Sequence, residues 1–187
     1  MSNSSFDPES LAARLGNISY PPVHEWQPTR EVDMALHITR HGEWLYQGST
    51  IRRPALVRLL ASVMRLETDG RYCLVTPAEK LRITIDDVPF LAVEFEREGS
   101  GDHQRLIFRT NVDDIIVAGP GHRLWVSESK DTVGPLPYIH VRGGLNARIT
   151  RSVYYELAEL VPESDPAAGI SPGLISRGVF FPLVPPA

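Results

Sequence analysis

His37-Ile38-Thr39-Arg40-His41-Gly42 and, far downstream, Ile139-His140-Val141-Arg142-Gly143-Gly144 read as two versions of one phrase. Each alternates apolar and polar residues and then meets an arginine and a glycine, the pattern of a strand entering a tight turn. Each is followed by a second strand and then by Ile51-Arg52-Arg53 or Ile149-Thr150-Arg151. An amphipathic helix comes next. Leu56, Leu59, Leu60, Val63 and Met64 make the first apolar stripe, and Val153, Tyr154, Leu157, Leu160 and Val161 make the second, which Pro162 stops. The second copy differs by a hairpin four residues shorter. This recurrence predicts an α+β chain of two related halves, each a strand-rich antiparallel sheet with one packed helix.

Outward from the repeat, alternation predicts further strands over residues 72–75, 81–85, 90–95, 106–110, 115–118, 124–127 and 178–181. Gly99-Ser100-Gly101-Asp102 has the composition of a joint. The expected organisation is therefore residues 1–30 as an N-terminal helix and Pro-rich tether, 31–100 as the first half and 101–187 as the second. In the first segment Asp7 caps, Pro8 occupies the first helical position and Gly16 ends the helix. Pro21, Pro22 and Pro28 then hold the tether extended across the surface.

At 187 residues, with 42% hydrophobic and 22% charged residues, the chain can bury a real core. No apolar run reaches the length of a membrane-spanning helix, and the first five residues lack the features of a secretory leader. A single cysteine, Cys73, excludes an internal disulfide framework and fits a reducing compartment, so a cytoplasmic location is expected. The net charge of -4 and the lack of a basic run argue against duplex nucleic acid as a partner. Lys80 and Lys130 are the only lysines among 19 basic residues. Arginine's planar fork suits bidentate recognition of phosphate or carboxylate, although a GC-rich genome gives the same bias.

Several literal motifs fail on their chemistry. Gly169-Ile170-Ser171-Pro172-Gly173 spells the nucleophile elbow, but Pro172 has no N–H for an oxyanion and no Asp, Glu or His follows the serine. Ser127-Glu128-Ser129-Lys130 follows a strand instead of starting a helical turn. Gly119-Pro120-Gly121-His122-Arg123 lacks the Lys-Ser/Thr pair of a phosphate loop and reads as a hairpin. His37 and His41, four apart on a strand, lie roughly 13 Å from one another, too far for one metal ion. No metal is expected.

Arg40 and Arg142 sit at matching places in the repeated phrase, so a pseudo-twofold arrangement would aim both at one anion between the halves. Pairing with local carboxylates such as Glu43 or Glu79 is the competing role. Lys80 in Thr76-Pro77-Ala78-Glu79-Lys80 and Arg109 in Phe108-Arg109-Thr110-Asn111 could add charge. Trp44 and Trp125 could stack on a base or simply belong to the core. The ligand-binding set is therefore Arg40, His41, Trp44, Lys80, Arg109 and Arg142. His41 with Glu43 is the weaker candidate for acid/base catalysis.

The strings His41-Gly42-Glu43-Trp44, Ile51 to Leu59, Leu74 to Lys80, Asp87-Val88-Pro89-Phe90, Phe108-Arg109-Thr110-Asn111 and Tyr138 to Leu145 with Ala147-Arg148-Ile149 together resemble a bacterial family, domain of unknown function 1285. The resemblance runs from about residue 34 to 161. It implies a duplicated α+β core whose C-terminal half is superficially pleckstrin-homology-like. It also implies a nucleotide-based ligand in the crevice between domains and a role in signalling. It brings no established activity, and the pleckstrin likeness carries no lipid binding with it.

The expected function is a non-enzymatic protein that grips a small anionic, nucleotide-like ligand. An enzyme acting on a phosphate-containing substrate and a protein-interaction module are the alternatives.

Overall fold

The computed structural model describes residues 20–128, 134–162 and 172–185. The expected N-terminal helix, Ser129 and Lys130 of the S-x-x-K string, and Gly169 to Ser171 of the G-x-S-x-G string lie outside the described residues. The chain divides into two compact units, Met1–Pro89 and Phe90–Ala187.

The first unit contains β1 (Arg30–Ile38), β2 (Trp44–Tyr46), β3 (Ser49–Thr50), α1 (Pro54–Ser62), β4 (Met64–Leu66), β5 (Tyr72–Val75) and β6 (Glu79–Ile85). Alternation drives β1: Met34, Leu36 and Ile38 are buried while their neighbours face outward. Pro54 opens α1 at its first turn, where a missing N–H costs nothing, and Leu56, Leu60 and Ala61 are buried. The helix stops earlier than the stripe predicts. Val63 bonds Leu60 at its end and accepts from Val75, and Met64 already belongs to an edge strand. Cys73 is buried in β5, and burial pushes its thiol up to about 11, so it is an inert core residue.

The second unit contains β7 (Phe90–Glu98), a 3₁₀ turn (Gly101–His103), β8 (Arg105–Thr110), β9 (Ile115–Val117), β10 (Leu124–Glu128), β11 (Pro135–Arg142), β12 (Leu145–Ile149), α2 (Arg151–Glu159), β13 (Gly173–Ser176) and β14 (Val179–Pro182). The joint expected at 99–102 is a turn inside this unit, because β7 pairs with both β8 and β12. Gly99 closes that turn at φ +69, and a side chain there would sit 2.8 Å from the His103 carbonyl oxygen. The strand expected near 178–181 is β14, and β13 is its partner.

The two units share one topology. The first sheet runs β3-β2-β1-β6-β5-β4 and the second β10-β11-β12-β7-β8-β9. In both, a three-strand meander leaves the centre and a second meander returns to it. First and last strands therefore lie side by side and parallel, the one parallel pairing in each otherwise antiparallel sheet. In the second unit the two edge strands are joined by a tight turn in which Gly119 and His122 exchange backbone bonds of 3.1 Å each way. The sheet must therefore curl until its edges meet, in keeping with a pleckstrin-like half-barrel.

This topology changes the register of the repeat. β1 corresponds to β7 and β6 to β12, so turn 39–43 matches turn 99–104, and the Arg142 turn matches turn 76–79. The helices differ in place as well: α1 joins the two meanders of its unit, whereas α2 follows the last one. Arg40 and Arg142 are not equivalent positions, so the symmetric clamp loses its premise.

Candidate functional site

Three hairpin turns use the same device, a threonine whose hydroxyl accepts two turn amides. Thr39 takes those of His41 and Glu43 at 3.3 and 3.2 Å. Thr76 takes Ala78 and Glu79 at 3.3 and 3.1 Å. Thr110 takes Val112 and Asp114 at 3.3 and 3.0 Å. Each threonine amide also bonds the carbonyl of the closing acid, Glu43, Glu79 or Asp114. These threonines are turn builders, preorganising whatever their loops display.

Turn 39–43 displays Arg40, His41 and Glu43, all exposed. Asp86, just beyond β6, pins the turn from the side. Its carboxylate receives His37 Nε2 at 2.7 Å and the Arg40 amide at 3.1 Å. The bond from His37 first, and the Arg40 amide second, hold the Asp86 carboxyl below its usual range. Neither a hydrogen bond nor an ion pair joins the His41 and Glu43 side chains; the acid–histidine pair of this turn is His37–Asp86. Trp44 lies buried under the turn with its indole N–H unpartnered, so it presents no face for a base.

Lys80 is half-buried in a three-residue network. It donates to Glu67 at 2.6 Å, as does Arg65 Nε, also at 2.6 Å. Arg65 also ties down the tether through the carbonyls of Val23 and Trp26 at 2.6 and 2.8 Å. Burial alone would raise the Glu67 carboxyl, but the bonds from Arg65 and Lys80 outweigh it and hold the group low.

In the second unit, consecutive acids of turn 110–114 hold the two expected arginines. Arg109 grips Glu94 through both arms of its fork and reaches Asp113 at 2.7 Å. Arg142 donates to the nearly buried Asp114, and its guanidinium lies over the Phe90 ring, 5.1 Å from the centroid. Asn111 pins the start of β7, bonding the Leu91 amide and carbonyl at 3.0 and 2.9 Å. Three carboxylates thus face two guanidiniums, a field that repels an added phosphate. Trp125 stacks on Tyr138, its cross-strand partner, at 5.6 Å between ring centroids.

The expected set is therefore split: Arg40, His41, Trp44 and Lys80 belong to the first unit, and Arg109 and Arg142 to the second. Sequence reasoning missed the His37–Asp86 pair, because the residues are 49 apart and meet only through the parallel pairing of β1 with β6. No group of three metal-ligating side chains occurs among the described residues. No helix there is long and apolar enough to cross a membrane.

Comparison with known proteins follows this division. Residues 21–88 match the model for the "Domain of unknown function (DUF1285), N-terminal domain", and residues 89–183 match "Protein of unknown function (DUF1285), C-terminal domain". The chain belongs to the DUF1285 family. The boundary of these models falls within a residue of the contact boundary at Pro89, and well before the glycine-rich turn. The crystal structure of a DUF1285 family protein from Silicibacter pomeroyi DSS-3 is similar at 41% identity and a TM-score of 0.87, over 96% of this chain and 95% of that one. Another, from Shewanella baltica OS155, is 26% identical with a TM-score of 0.52, over 67% of this chain and 91% of that one. No curated protein matches the chain.

Proposed function

We propose that this DUF1285 protein is a non-enzymatic binding protein for a small anionic, nucleotide-like ligand recognised at turn 39–43, with signalling as its role. One observation carries the reading. Among the expected ligand residues only Arg40 and His41 are both exposed and adjacent, on a turn held rigid by Thr39 and Asp86. Lys80, Arg109 and Arg142 are engaged by carboxylates and serve the fold. A preorganised turn loses little entropy on binding, which favours recognition of a modest ligand.

The test is a thermal-shift and calorimetric screen of the full chain against nucleotides and simple phosphates. Arg40→Ala is expected to weaken the ligand roughly tenfold or more, the effect of losing a charged hydrogen bond. Arg109→Ala should leave affinity unchanged. Equal binding by Arg40→Ala and the unaltered chain would sink the proposal.

The His37–Asp86 bond favours a second reading, an enzyme acting on a phosphate-containing substrate with His37 as acid/base and Asp86 orienting it. This moves the catalytic role from His41 to His37. Turnover of a phosphoester panel should then disappear in His37→Ala and persist in His41→Ala. Absence of turnover by the unaltered chain would remove this reading.

A further inference from the structure

The β13–β14 hairpin has two unlike faces. Leu174 and Phe181 are cross-strand partners and buried, whereas the next pair, Ile175 and Phe180, are 36% and 49% exposed. The exposed pair is not scattered surface. With Val161, Pro172 and the 99–104 turn it borders a cavity of about 420 Å³, within the size range of small-molecule sites. Gly173 makes room for the Phe180 ring, since a side chain there would come within 2.5 Å of the ring's Cζ.

The polar groups around this cavity are few. Gln104 is committed, its amide donating to the Ile175 carbonyl at 2.6 Å. Arg97 is the charged residue among the described lining and makes no ion pair with any described carboxylate. Its sequence neighbour Glu98 is taken by Arg105 at 2.9 Å. Here an exposed cation lines a largely apolar cleft. A nucleotide would need several polar partners for base, sugar and phosphates, and this lining does not supply them.

We propose that the cleft between the β13–β14 hairpin, the end of α2 and the 99–104 turn binds a free medium- or long-chain carboxylate. Its hydrocarbon chain lies against Phe180, Ile175 and Val161, and its carboxylate pairs with Arg97. This site is independent of turn 39–43. Burial of the chain supplies affinity, and the Arg97 fork supplies the sign of the headgroup.

Isothermal titration of the full chain with decanoate below its micellar concentration tests the assignment. Saturable one-to-one binding is expected, about tenfold weaker in Arg97→Ala and largely retained in Arg97→Lys. Phe180→Ala should weaken it as well. Both side chains are exposed, so the variants should melt like the unaltered chain, and that is measured alongside. The proposal is overturned if decanoate shows no saturable binding or if Arg97→Ala binds it as tightly. Equal binding of decyltrimethylammonium, or binding only to anionic vesicles, would overturn it too.

Discussion

Replacing Ser176 with alanine is expected to lower the stability of the chain by about 2–4 kcal/mol. Ser176 is wholly buried, and its hydroxyl is inserted into the β8–β9 ladder. Ala118 N–H donates to the Leu106 carbonyl at 2.9 Å, one half of an antiparallel pair. The other half is missing, and Ser176 Oγ stands in it, accepting from Leu106 N–H at 3.0 Å and donating to the Ala118 carbonyl at 2.7 Å. Alanine would strand a buried donor and a buried acceptor together, each worth about 1–3 kcal/mol when unsatisfied. Urea unfolding should show a lower midpoint with an unchanged slope. A loss below about 1 kcal/mol would mean that the strands close up or that water replaces the hydroxyl. The hydroxyl also locks the hairpin to the curled sheet, so the variant should expose the Phe181 face to proteolysis before the rest of the unit.

Nothing local announces such a residue. Ser176 reaches partners 70 and 58 positions away, in a tail that reads as Pro- and Gly-rich connection. What the sequence does disclose is periodic. β1, β6, β8 and both helices follow from alternation or from three-four spacing, because burial on one face forces that spacing whatever the partner. The α+β class and the paired architecture were legible on this basis. Partnership was not. The phrase shared by residues 37–42 and 139–144 marks two hairpins of similar chemistry, yet strand order places one at a central strand and the other one strand out. Likewise Gly99-Ser100-Gly101 has the composition of a linker but serves a tight turn, while the true boundary, Val88-Pro89-Phe90, carries apolar residues that continue directly into β7. Of the expected ligand residues, Arg40 and His41 are the two that are both exposed and adjacent, and that adjacency was visible in the sequence. The partners of Arg109 and Arg142, Asp113 and Asp114, look in sequence like ordinary turn residues, and their pairing depends on how the second sheet folds.

Arg142→Ala separates the ligand-clamp reading of that arginine from the structural one. The structural reading expects a loss of about 3 kcal/mol. Asp114 has a side chain only 8% exposed, so removing the guanidinium takes a charged hydrogen bond from a nearly desolvated carboxylate. The guanidinium's position over Phe90 adds about 0.5–2 kcal/mol in comparable settings. Arg142 itself is 26% exposed, which keeps the expected loss at the lower end for a broken buried pair. A double-mutant cycle makes this decisive. Asp114→Asn removes the charge while keeping the shape, so the double variant should be less destabilised than the sum of the two single ones. Additive losses would mean that the two side chains do not depend on one another. A ligand clamp predicts the opposite result, stability near that of the unaltered chain with anion binding abolished. Arg109→Ala gives the matching contrast within the same turn. Its partners Glu94 and Asp113 are exposed, with 59% and 46% of their side chains accessible, so water takes over and the urea midpoint should barely move. The same turn therefore carries one arginine that the fold requires and one that it tolerates losing, and burial of the acid beneath each decides which.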